Sequence, residues 1–359
     1  MYKKPPQTRW GTLCALLLLL VLSVWLRWGW PGPKPTELHL SGNAEQLGRE
    51  FAAAKPRRLA ALEKQYLRDV ICGQSEETYQ RYTAMAKKWL PLLHPAHRLE
   101  FDAFADEADL PVETLMLANS FLDLGLYRTG CRALVCQGID GFFHAHNLDW
   151  DGMNGLASWV ICVVRRAPDD GRYRTVALSM VGILGAFDII NEHGIALSIN
   201  QVSVGTSAPV EPTFLRIRRI AETCSTFREA KEELEEGFAD IPFTIILSSA
   251  KEREAAVFEG GRGRFTVRRM QVGLLGADNA QHGEKWGKAP IEQLAEKKAC
   301  ASIDDVKRIM RHRDIMLDNN IYSVIFDYHR NRMLLASGRI PAARHRHREF
   351  VLFRDRHGP

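Results

Sequence analysis

Two textures divide the chain. From about Leu38 to Tyr127, apolar residues recur every three or four positions through "NAEQLGREFAAAKPRRLAALEKQYLRDV", "SEETYQRYTAMAKKWLPLL" and "PVETLMLANSFLDLGL". That spacing predicts amphipathic helices. After Gly130 the period shortens: "ALVCQG", "GFFHAHNL", "SWVICVVRR", "RTVALSMV", "FDIIN" and "GIALSIN" are short, β-branched or alternating segments parted by Gly, Asp or Asn. They read as strands. Two helices follow in "FLRIRRIAETC" and "TFREAKEELEEGF", then the strands "FTIILSSA", "AAVFEG" and "RFTVRRM". A helical stretch from about Ile291 to Arg311 precedes the last strands, "YSVIFDYH", "RMLLASG" and "EFVLF". Helices set between blocks of antiparallel strands point to a layered α+β sandwich rather than a parallel βαβ sheet.

A third pattern stands at the N-terminus. Lys3, Lys4 and Arg9 precede an unbroken apolar run from Gly11 to Leu26, extended by "RWGW". The expectation is a cytoplasmic tail at 1–10 and a transmembrane signal anchor at 11–30, with everything beyond Pro35 on the extracytoplasmic side. A cleaved signal peptide would look similar, but "WPGPKPTE" follows in place of a small-residue cleavage site.

Composition narrows the class without naming it. The chain is 46% hydrophobic and 25% charged, with a formal net charge of +5. The roughly 325 residues beyond the anchor suffice for one large core or two modest ones. The basic residues are scattered, and "RHRHREF" reads as a solvated tail, so no nucleic-acid partner is expected. Six cysteines lie beyond the anchor (Cys72, Cys131, Cys136, Cys162, Cys224 and Cys300), too sparse for a disulfide framework.

The change of texture falls at "RTGCRALVC". If the peptide bond before a Cys is cut autocatalytically, the new N-terminal residue carries a nucleophile and a base together. Its α-amine has a reference pKa of about 7.7–8.0 and exchanges a proton near neutrality. Gly130 suits such a cut, because the attacking thiol needs close access to the preceding carbonyl and glycine puts no side chain in the way.

At this junction the sequence resembles a known family. "GCRALVCQGIDGFFHAHNLDW" is similar to the post-cleavage segment of the N-terminal-nucleophile cysteine hydrolases, nearest to the acyl-coenzyme A:6-aminopenicillanic acid acyltransferase family. Acid ceramidase, N-acylethanolamine acid amidase and the choloylglycine hydrolases are its relatives. The likeness continues in order through "INEHGIALSIN", "PTFLRIRRIAETCSTFREAKEEL", "LLGADNAQH" and "YSVIFDYHRNRMLLASG", and covers about residues 38 to 355. It implies a four-layer αββα core at 131–359 behind a helical propeptide region at 36–130. It also implies autocleavage between Gly130 and Cys131, with Cys131 as the nucleophile that forms a thioester. Asp149 would hold the new α-amine, Asn279 would donate to the tetrahedral oxyanion, and Asn200 is the candidate partner from a neighbouring strand. No cofactor is implied.

Three departures matter. The family's Gly-Arg-Asn-x-Asp-aromatic signature reads Ala145-His146-Asn147-Leu148-Asp149-Trp150, so His146 stands where the family has arginine. Asp278 replaces the threonine before the asparagine. The downstream arginine has no clear counterpart, Lys285 and Lys288 being the nearest basic residues.

The reading is therefore a membrane-anchored amidohydrolase or acyltransferase acting on a small linear amide, an acylated amine or amino acid, the anchor pointing to a lipid-derived acyl group. Two other readings stay open. His144 and His146, with Asp149 and Asp151 close behind, would suit a metal-dependent hydrolase. The missing arginine would suit a membrane-tethered binding module that has lost its chemistry.

Overall fold

The computed structural model describes residues 34–126, 129–151, 156, 160–202, 211–236, 243–261, 264–280 and 288–354. The expected cytoplasmic tail and anchor at 1–30 lie outside these residues. Among the described residues no helix is long and apolar enough to cross a membrane.

The N-terminal half opens with a strand, not a helix. Thr36–Gly42 (β1) alternates buried Leu38 and Leu40 with more exposed neighbours and pairs in parallel with Ile161–Pro168 (β4). Gly42, at φ +107°, turns the chain into Ala44–Ala54 (α1), which Asn43 and Gln46 cap reciprocally at 3.0 and 2.9 Å. Then come Pro56–Ala61 (α2), a more loosely wound helical stretch Leu62–Ile71, Glu76–Lys87 (α3), Pro95–Glu107 (α4) and Val112–Ser120 (α5). Gly48 lets α1 lie directly on α4: a Cβ there would sit 2.3 Å from the Glu100 carbonyl oxygen.

Beyond Gly130 the strands form two sheets. Thr129–Gln137 (β2) and Phe142–Trp150 (β3) are the middle of a six-stranded sheet completed by Leu274–Asp278 (β11), Asn320–Asp327 (β12), Arg332–Ser337 (β13) and Arg348–Val351 (β14), ordered β11-β2-β3-β12-β13-β14. The second sheet has eight strands, adding Thr175–Met180 (β5), Asp188–Asn191 (β6), Ile195–Gln201 (β7), Phe243–Ser249 (β8), Glu254–Gly261 (β9) and Arg264–Arg269 (β10) in the order β1-β4-β5-β6-β7-β8-β9-β10. The sheets pack face to face, β2 on β7 and β11 on β8 and β9. Thr213–Thr223 (α6) and Phe227–Glu235 (α7) cover the outside of the larger sheet; Pro290–Lys297 (α8) and Ile303–Met310 (α9) cover the smaller. The layered α+β expectation therefore holds, as helix, sheet, sheet, helix.

Alternation along β2 divides its side chains between layers. Ala133 and Val135 join Ile246, Val257 and Leu275 between the sheets, whereas Leu134 and Cys136 pack outward with Ile291, Val306 and Ile309. The Cys136 sulfur lies 3.4 Å from that of Cys300 within this outer cluster. The "RHRHREF" segment is not a loose tail: it supplies β14, an edge strand paired with β13.

The N-terminal helices are built into the core. Glu100 on α4 accepts 2.9 Å and still shorter bonds from Arg218 on α6, and Arg218 Nε also donates to Glu222 at 2.7 Å. Glu222 meets Arg172 at 2.7 Å and His97 of α4 at 3.0 Å. Removing one partner of such a buried pair leaves an uncompensated charge. Glu100→Gln is therefore expected to cost about 3–5 kcal/mol in urea unfolding. A chain cut between Gly130 and Cys131 should elute as one species under native conditions and part only in denaturant.

Candidate active site

The β2–β3 hairpin brings the sequence candidates together. Gly130 pairs with Asp149, Cys131 with Leu148 and Ala133 with His146, so Cys131 and His146 sit diagonally on one face of the sheet. That face looks onto the larger sheet, and Cys131 is 1% exposed.

Asp188 of β6 organises the polar groups between the sheets. It accepts from His146 Nδ1 at 2.9 Å, from Tyr322 Oη of β12 at 2.5 Å, and from Ser198 Oγ of β7. Ser198 accepts in turn from His144 Nε2 at 2.8 Å, and His144 Nδ1 takes the Ser248 hydroxyl of β8 at 2.7 Å. A carboxylate with three donors is acceptor-only, so the Nδ1 proton of His146 points at Asp188. The hydroxyl proton of Ser198 goes to Asp188, so His144 donates through Nε2 and is neutral. Every proton in this chain is assigned by its neighbours.

The two histidines accordingly diverge. Burial pushes the His144 pKa down, to about 4, against the pull of Asp188. Burial also opposes charge on His146, but the Asp188 carboxylate and the adjacent Cys131 thiol outweigh it and lift its pKa to about 10. Asp188 stays below the usual carboxylate range despite burial, because His146, Ser198 and Tyr322 all favour its ionised form. His146 Nε2 is buried and has no hydrogen-bonding oxygen or nitrogen among the described residues; the thiol of Cys131 is the reactive group beside it.

Around Cys131 the main chain is also fixed. Its N–H donates to Asn279 Oδ1 at 2.5 Å, and Arg132 reaches back to the Cys131 carbonyl at 2.7 Å and to Asn279 Oδ1 at 3.3 Å. Asn279 Nδ2 donates to the Gln201 carbonyl at 2.8 Å. Its amide thus holds the nitrogen of Cys131, in contrast to the expected oxyanion donor. Asn200 is fully buried on the same side of β7 as Ser198, and neither amide atom has a hydrogen-bond partner among the described residues. Asp149 takes Asn320 Nδ2 on Oδ1 at 2.8 Å, while Oδ2 faces Gly130 with no side-chain donor among the described residues. Burial raises its pKa to about 7, partly offset by Asn320 and Arg132.

Other expectations fall elsewhere. Asn147 ties β3 to α9 by donating to the Met310 carbonyl at 2.8 Å, a structural role. Lys288 pairs with Glu296 at the surface, so it does not replace the missing arginine, and Lys285 lies outside the described residues. Arg132, Asp188 and Tyr322 are the groups sequence reasoning missed. Both ring nitrogens of His144 are occupied by hydroxyls, which removes it as a metal ligand. Among the described residues no cluster of three or more His, Cys, Asp or Glu could hold a metal ion.

Residues 136–288 match the family model described as acyl-coenzyme A:6-aminopenicillanic acid acyl-transferase. His146, Asp149, Asp188, Asn200 and Asn279 lie inside the matched segment, and Cys131 lies five residues before it. No curated protein matches the chain. Three solved structures resemble it distantly. A Caenorhabditis elegans N-acylethanolamine-hydrolyzing acid amidase ortholog is 17% identical, covering 55% of this chain and 92% of that one at a TM-score of 0.46. Penicillin V acylase from Agrobacterium tumefaciens is 16% identical over 58% and 83%, at 0.40. A mutant conjugated bile acid hydrolase from Clostridium perfringens is 12% identical over 58% and 89%, at 0.39.

The depressed pKa of His144 gives a pH signature. Its neutral form is the folded form, so its contribution is intact above about pH 6.5 and drains as pH falls toward 4, by about 3 kcal/mol in all. His144→Gln should flatten the loss of stability across that window, read from urea midpoints at stepped pH.

Proposed function

We propose that this protein is an N-terminal-nucleophile amidohydrolase or acyltransferase that cuts itself before Cys131 and then works through a thioester on that residue. The observation that carries the reading is the convergence at Cys131. A glycine precedes it, Asp149 stands opposite that glycine, Asn279 holds its nitrogen, and His146 lies beside its sulfur.

The parts divide the work. Cys131 attacks the acyl carbonyl of a small amide and the amine departs. Water then takes the acyl group in hydrolysis, or a second amine takes it in transfer. Asp149 Oδ2 is the natural seat for the α-amine that cleavage creates, and an ammonium there would restore the charge that burial disfavours. Asn200, whose amide has no hydrogen-bond partner among the described residues, would donate to the oxyanion. The burial of Cys131 in the intact chain fits a precursor whose site opens on cleavage. The helical segment 36–130 then serves as a propeptide in timing, though not in packing. An anchor at 11–30 would put the catalytic core on the extracytoplasmic side and bring it near lipid-derived acyl amides. The supported His146 argues against a decayed binding module, since loss of function would not preserve a buried acid beside it.

The deciding experiment is N-terminal sequencing of the larger fragment. A terminus at Cys131, absent in Cys131→Ala together with hydrolysis of a panel of N-acyl amides, is the expected result; an uncut wild-type chain with full amidase activity would overturn the reading. Asn200→Ala should still be cut and should lower kcat about 10²–10³-fold with little change in KM.

A further inference from the structure

Self-cleavage raises a problem that the mature enzyme does not have. Before the cut, the nitrogen of Cys131 is an amide and cannot act as a base, so another group must handle the thiol proton. Among the described residues, the side chain next to that thiol with a proton-exchanging atom to offer is His146. His146 Nδ1 is locked to Asp188 at 2.9 Å, and Nε2, buried and without an oxygen or nitrogen partner among the described residues, faces the sulfur. Asp188 is fixed in turn by Tyr322 at 2.5 Å and by Ser198.

We propose that His146 is the proton relay for cleavage of the Gly130–Cys131 bond, with Asp188 and Tyr322 as its positioning residues. The inference rests on the self-cleavage proposed above and concerns how that step is driven. His146 Nε2 already holds the proton drawn from the Cys131 thiol when the Cys131 sulfur attacks the Gly130 carbonyl carbon. As the carbon–nitrogen bond breaks, His146 returns that proton to the departing nitrogen, which becomes the α-amine of Cys131. Gly130 is now a thioester on Cys131. Water adds to it, the carbon–sulfur bond breaks, and a Gly130 carboxylate and a free thiol remain. In this scheme the histidine is not a weakened arginine: an arginine supplies charge but takes up no proton near neutrality.

Among the described residues, the groups that act on His146 are Cys131 of β2, His144 and Asp149 of β3, Asp188 of β6 and Tyr322 of β12, with Ser198 of β7 behind Asp188. Of these, Asp188 holds the imidazole protonated to high pH. The acid form of His146 is needed when the carbon–nitrogen bond breaks, so the rate should fall only toward alkaline pH.

The test follows cleavage of freshly translated full-length chains in detergent micelles by gel, across pH. Wild type should be cut, and His146→Gln at least 100-fold more slowly. His146→Arg should remain comparably slow, since charge without proton exchange does not suffice. Asp188→Asn should be slowed and lose its alkaline activity at least one pH unit earlier, and Asp188→Glu should recover part of both. Tyr322→Phe, which removes only a hydroxyl, should shift the alkaline limb in the same direction and keeps the test informative if a bulkier change fails to fold. Wild-type rates in His146→Arg, or wild-type profiles in both Asp188→Asn and Tyr322→Phe, would overturn the relay while leaving self-cleavage intact. A wild-type chain never cut would overturn self-cleavage itself, and the relay with it.

Discussion

Burying a carboxylate between two sheets is costly unless donors meet both oxygens, and the site is built around one that they do meet. Asp188 receives His146, Ser198 and Tyr322 from three different strands. That requirement sets the tautomer of His146, the neutrality of His144 and the spacing of β3, β6, β7 and β12 at one point. It also makes the substitution of histidine for the family's arginine chemically coherent. A bare histidine in this place would lose its charge near neutrality. With Asp188 behind it, the cation persists toward pH 10.

The same logic of buried charge joins the two halves of the chain. Glu100 and His97 of α4 meet Arg218 and Glu222 of α6, and Tyr66, Phe121, Trp150, Phe187 and Phe214 pack across the Gly130–Cys131 boundary. β1 adds the edge strand of the larger sheet. A cut at that boundary would change the chemistry of one nitrogen without releasing the segment that packs over the core.

Much of this was legible in the sequence where signals were local. Helices α6 and α7 and strands β7, β8 and β12 follow from their periods, and Gly130, Cys131, His146 and Asp149 share one hairpin. β1 was missed because seven residues cannot announce a parallel partner more than a hundred residues away. Asp188 and Tyr322 escaped for the same reason: only sheet-on-sheet packing brings them to His146. A faint signal existed, since an aspartate opening the apolar strand "DIIN" must be met by donors somewhere. Asn279 lies beside Cys131, but the direction of its amide depends on the Gln201 carbonyl, which no motif encodes.

The central claim is that Asp188 keeps His146 protonated with Nδ1 directed at the carboxylate. Nitrogen-15 NMR of histidine-labelled, uncut Cys131→Ala protein measures this directly. The account predicts that His146 remains an imidazolium at pH 8, with an Nδ1 proton shifted far downfield and lost in Asp188→Asn. A neutral His146 at pH 8, protonated on Nε2, would contradict it.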